Sequence, residues 1–216
     1  RFNFSEPKFL NPELQFDLGL SYGETDNRAA VYDTRQFDLS PSLSFPLSEY
    51  SRLTLRGNVS ATEMFNPGTI GSIVKAEIDR GRLDDAGLGF TYSYDTRGVG
   101  LDPSSGLAVI YNQTFGGLAG DVGAYSKSTI RTVGERAIIN EDVVLRGILE
   151  AGVLHNTKGY SRVTDRFFLP ATVLRGFEYA GMGPRQYSNG YNDALGGNKY
   201  TVAKFEIDFP LGLPEE

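Results

Sequence analysis

Ionic chemistry, rather than covalent chemistry, is what the reactive residues of this chain can support. Arg175 stands in LPATVLRGFEYAGMGPR, residues 169–185, flanked by Leu174 and Gly176 with Phe177 behind it. A guanidinium keeps its charge in a protein, and this segment is too apolar and glycine-rich to be an ordinary solvated loop. The cation therefore needs a carboxylate partner, because an unpaired buried charge costs several kcal/mol.

Covalent catalysis finds no support. His155 is the sole histidine and there is no cysteine, which removes Ser-His and Cys-His nucleophile systems, disulfides and thiolate metal sites. Asp84 with Asp85, and Glu141 with Asp142, are adjacent carboxylates at turn boundaries, where acids commonly cap or solvate. The glycine-rich stretches lack the GK[ST] ending of a phosphate loop. A net charge of −6 without a Lys/Arg cluster argues against nucleic acid as a partner. No cofactor is implied.

The elements that must position Arg175 are strands. With 26 glycines, 12 tyrosines and 14 phenylalanines in 216 residues, the composition is that of strands and turns. No apolar run approaches the roughly 18 to 20 residues of a membrane helix. Period-two alternation is long and clean: Leu14, Phe16, Leu18, Leu20 and Tyr22 share one face, and Gln15, Asp17, Gly19 and Ser21 the other. The same holds over 37–48, 52–61 and 88–95, and near 106–117, 122–133, 142–154 and 197–209. With a short piece at Phe2–Ser5 this makes about nine strands, several near the ten residues a tilted strand needs to cross a bilayer.

Connections at 7–12, 46–51 and 98–106 are compact, whereas 24–34, 64–84 and 156–194 read as long loops. Short turns at one end and long loops at the other suit an outer-membrane barrel. A short connection at 116–121 departs from that rule. A soluble β-sandwich also alternates polar and apolar residues; strand length and loop asymmetry favour the barrel.

In the last strand Tyr200, Val202, Lys204, Glu206 and Asp208 share one face, and Thr201, Ala203, Phe205, Ile207 and Phe209 the other. The second face suits lipid, so the first lines the interior, and Glu206 becomes the natural bidentate partner for Arg175. Gly176, Gly181 and Gly183 permit a tight backbone path, with Phe177 and Tyr179 to pack it inward. Gly196 and Gly197 open the strand.

LRGF at Leu174–Phe177 and GGN at Gly196–Asn198, with NFSEPKF near the start, FPLSEYSRL at Phe45–Leu53 and YDTR with LDPSSG at Tyr94–Gly106, form an ordered set. In this set the chain resembles the BamA family of outer-membrane β-barrel assembly factors over essentially its whole length. The resemblance implies an all-β fold: nine consecutive strands, the fourth to twelfth, of a sixteen-stranded antiparallel transmembrane β-barrel with a long inward-folded loop. Residues 1–216 would be a partial barrel domain, without periplasmic POTRA domains or closing strands. It further implies a non-enzymatic insertase of the bacterial outer membrane, with unfolded outer-membrane proteins as clients, accessory assembly lipoproteins as partners and outer-membrane lipid as surroundings. The family's motif-binding glutamate falls on Glu206, which makes the LRGF loop a conformational latch. Two-partner secretion and translocation-and-assembly transporters share an RGF- or RGY-like motif and are the alternative.

Overall fold

The computed structural model describes residues 1–27, 32–97, 105–139, 143–157, 160–170, 172–173, 176–178, 180–188 and 190–209. Eight strands follow in chain order: β1 (Phe2–Glu6), β2 (Gln15–Asn27), β3 (Tyr32–Ser48), β4 (Ser51–Phe65), β5 (Leu83–Asp95), β6 (Ser105–Gly120), β7 (Tyr125–Ile139) and β8 (Val143–Asn156). A small hairpin, β9 (Arg185–Ser188) with β10 (Tyr191–Ala194), precedes β11 (Lys199–Asp208). Each long strand pairs antiparallel with its neighbour, and β11 pairs with β8, giving one nine-stranded sheet whose described edges are β1 and β11.

Strands β2 to β8 run 13 to 17 residues, beyond what a bilayer crossing requires. The alternation settles which face is which. Leu20, Tyr22, Phe37, Leu55, Val59, Leu88, Leu149, Val153 and Ile207 are exposed on one face, and Phe205 reaches 88% exposure there. A sandwich would cover that face with a second sheet; among the described residues the only other sheet is the β9–β10 hairpin. The polar face is instead the one covered, by residues of the long connection between β8 and β11.

Two expected loops are shorter than the sequence suggested. The segment 24–34 is mostly hairpin, with Glu24 opposite Arg35 and Asn27 opposite Tyr32. Apolar alternation stops before the hydrogen-bond ladder does, because a strand rising above lipid has water on both faces and no reason to alternate. Likewise β6 continues through 116–120 and turns only at 121–124. The 64–84 segment carries an unforeseen helix, α1 (Ser72–Ile78), whose seven residues are too few to show helical periodicity in the sequence.

A compact cap sits over the loop end of the sheet. Tyr32, Met64, Val74, Val163 and Leu195 are buried together, with Ile70, Ile78 and Phe168 packed against them. Asp193, almost fully buried, accepts the backbone N–H of Gly71 at 2.6 Å, and Gln186 accepts that of Ile73 at 3.0 Å. The hairpin thereby satisfies donors at the start of α1 that the helix itself leaves open.

Candidate functional site

The inner face of the sheet carries two ionic stations, one at each end. The first lies at the loop end and is built on a distortion of β5 against β6. Register shifts between Ala86 and Leu88, so the chain around Gly117 bulges. Gly117 adopts φ +67°, and its N–H donates to Asp85 Oδ1 at 2.7 Å. Asp85 is only 3% exposed and also accepts the Tyr125 hydroxyl at 2.9 Å.

Into this acidic pocket the connection between β8 and β11 inserts residues 161–168. Arg162 donates through Nε and Nη2 to Asp165 at 2.7 and 2.8 Å and lies 3.6 Å from Asp85. Burial alone would lower the pKa of Arg162, but the Asp165 hydrogen bonds and the charge of Asp85 more than reverse that, so its cation is firmly held. Lys127 donates to the Asp165 carbonyl at 2.7 Å and sits 4.7 Å from the Phe167 ring centre. Phe167 meets Tyr200 edge-on at 4.8 Å and exchanges backbone hydrogen bonds with Gly197, both 2.9 Å. Arg166 holds Ser161 and the Leu195 carbonyl. The result pins residues 161–168 to β5, β7 and β11 at once. On α1, burial pushes the Glu77 carboxyl above the usual carboxylate range, against the pull of Arg80, Arg166 and Arg162.

The second station lies at the turn end. Arg146 on β8 donates Nε to Glu135 Oε1 of β7 at 2.7 Å, and its Nη1 lies 3.4 Å from Glu206 and 3.2 Å from Asp208 of β11. Arg97 pairs with Asp95 at 2.7 Å and stands 3.9 Å from Glu135. Cross-strand register aligns Glu135, Arg146 and Glu206 on one rung. Asp95, Glu135, Glu206 and Asp208 thus face two guanidinium groups. The second oxygen of buried Glu135, Oε2, has no hydrogen-bond partner among the described residues. This rung has acceptor capacity for a further cation.

The sequence model of the Omp85 superfamily domain matches residues 1–215. The chain belongs to the Omp85 superfamily. The outer membrane protein assembly factor BamA of Neorickettsia risticii (strain Illinois) is 36% identical over 118 residues, covering 53% of this chain and 15% of that protein. The crystal structure of BamA from Haemophilus ducreyi lacking POTRA domains 1–3 superposes with a TM-score of 0.80 at 17% identity, over 99% of this chain and 45% of that one. The chain therefore spans less than half the length of either relative. Its open antiparallel sheet is a segment of an outer-membrane β-barrel of the Omp85 kind; the resemblance to BamA read from the motifs holds, and the exposed apolar face is the lipid face.

Within the Omp85 barrel the sequence-derived residues distribute unevenly. Glu206 lies on the inner face as expected, and its partner among the described residues is Arg146. Leu174, Arg175 and Tyr179 lie outside the described residues. Gly176 adopts φ +88° and Gly183 φ +113°, backbone that suits glycine. Gly181 closes a turn onto the Glu178 carbonyl at 2.9 Å. Gly196, at φ +65°, packs beside Arg166 and Phe168, and Gly197 makes the bridge to Phe167. Phe177 retains 51% exposure, so inward packing falls on Val163, Phe167, Phe168 and Leu195 instead. Asp85 is the residue sequence reasoning passed over: its place beside a turn suggested solvation, whereas the β5–β6 bulge buries it. Glu141 and Asp142 lie outside the described residues.

Proposed function

We propose that this chain forms the wall and inward loop of an outer-membrane insertase that folds client β-barrels into the membrane without cofactor or bond-making chemistry, as the name of its BamA relative suggests. In this reading the LRGF loop is a latch with two states, and Arg175 is its bolt. The observation that carries it is the surplus of carboxylates at the turn-end rung, where Glu135, Glu206 and Asp208 surround Arg146. A third guanidinium fits that charge balance and offers the open oxygen of Glu135 a donor.

Reach is consistent with a latch that opens and closes. Along β7, eight residues separate Lys127 from Glu135, about 26 Å at strand rise and less along the barrel axis because strands tilt. Seven residues from Phe168 to Arg175 extend to about 23 Å, and the arginine side chain adds roughly 6 Å. The turn closed by Val173 N–H on Pro170 at 2.9 Å shortens that path. Client strands and accessory assembly lipoproteins would act on this equilibrium through the rest of the protein, as partners of the assembled machine.

The test is a charge-swap series in the full-length protein: Arg175→Glu, Glu206→Arg and both together, with assembly of a reporter porin as readout. Glu206→Arg also confronts Arg146, so Glu206→Gln accompanies it. Failure of each single reversal with recovery in the pair is expected. Normal porin assembly in every variant would remove the latch and favour a transporter role.

A further inference from the structure

At the turn-end rung the resident cation is held back from the carboxylates it faces. Arg146 gives its Nε to Glu135 at 2.7 Å, and the Glu135 side chain is only 2% exposed, so the cation is anchored on β7. What remains for β11 is a single nitrogen. Nη1 lies 3.4 Å from Glu206 and 3.2 Å from Asp208, both longer than a well-formed guanidinium–carboxylate contact. Glu206 and Asp208 stand two residues apart on one face of β11, and register puts Arg146 opposite the first of them. Arg97 gives them no relief, since its Nε and Nη2 are spent on Asp95 at 3.0 and 2.7 Å. Lys204 shares their strand, and among the described residues it makes no ion pair with either.

Two neighbouring carboxylates, partly neutralised by a cation that belongs to a third, form a weakened site for another cation. An arriving guanidinium gains the attraction of Glu206 and Asp208 but meets the repulsion of Arg146 at close range. The Glu135–Arg146 pair thus subtracts from the affinity of the site without filling it. A latch closing on such a site can release again; without the subtraction it would stay shut.

We infer that the Glu135–Arg146 pair sets the strength of the latch: Glu135 anchors Arg146 where its charge screens Glu206 and Asp208, so that an arriving guanidinium binds reversibly. This rests on the latch reading above and adds its regulation. Glu206 and Asp208 receive the cation, and Glu135 and Arg146 are positioning residues.

Arg146→Gln alone strands the buried carboxylate of Glu135, so the decisive variant is Glu135→Gln combined with Arg146→Gln. It removes both charges, leaves the net charge unchanged and keeps an amide oxygen at position 135 as an acceptor. Phenylglyoxal modification of the full-length protein, resolved by peptide mass spectrometry, reads the free fraction of Arg175, with exposed Arg52 as internal reference. Modification of Arg175 should slow about tenfold in the double variant, the size of one charge-assisted hydrogen bond, and should quicken in Glu206→Gln. A pair that merely held the rung together would give the opposite sign, releasing Arg175 in the double variant. Heat-modifiable gel mobility shows that each variant is folded. Unchanged or faster modification in the folded double variant, with the Glu206→Gln effect intact, would overturn the screening role and leave the latch standing. No effect of Glu206→Gln would remove the latch and the screening role with it.

Discussion

At the scale of single residues, the buried ions decide where the long connection lies. Arg162 satisfies Asp165 through two short hydrogen bonds and neutralises Asp85, whose other contacts are a backbone N–H and a tyrosine hydroxyl. Removing the cation leaves Asp85 and Asp165, both largely buried, without their counter-charge. Arg162→Ala is therefore expected to cost about 3 to 5 kcal/mol, far more than loss of a surface pair. Urea unfolding of the full-length protein in detergent measures it, and limited proteolysis within 157–198 shows whether the loss releases the loop. Arg162→Lys, which keeps charge but not the forked geometry, should fall between.

At the scale of elements, strand register and one glycine make room for the loop. Gly152 of β8 sits opposite Tyr200, on the inner face. A Cβ there would overlap the Tyr200 ring and come within 2.8 Å of Phe167 Cζ. Gly152→Val should displace the Phe167–Tyr200 contact and, with it, Lys127 over the Phe167 ring, at a cost of about 1 to 3 kcal/mol from overpacking. Hydrogen exchange of Phe167 and Gly197 amides, which hold the bridge, should quicken while the β3–β4 ladder stays protected. Uniform loss of protection would mean that the substitution disturbs the whole sheet instead.

At the scale of the whole molecule, an open sheet in lipid is a liability. The unpaired backbone groups of β1 and β11 have no water to turn to inside a bilayer, and each unsatisfied group costs several kcal/mol. The 216-residue chain expressed alone is expected to associate or remain unfolded in lipid vesicles, with protease sensitivity along β1 and β11. The same strands within the full-length protein should be protected and heat-modifiable on gels. A monomeric, protease-resistant isolated chain would show that its edges find partners within the chain.

The sequence by itself determined the nine strands of the main sheet, their lipid and inner faces, and the placement of Glu206 inside, because a membrane strand must alternate and the period is visible residue by residue. Alternation fails once a strand leaves lipid, so the β2–β3 extension and the end of β6 were not legible, and α1 and the β9–β10 hairpin are too short to show a period. Only the tertiary structure decided that Asp85 is buried: alternation along β5 points it inward, but Gly117 of the β6 bulge, Tyr125 and Arg162, which cover it, come from other elements. It alone set Glu135 and Arg146 beside Glu206, a neighbourhood created by cross-strand register between residues as many as 71 apart. Local pattern reports which way a side chain points; which charges meet is a property of the pairing of distant strands.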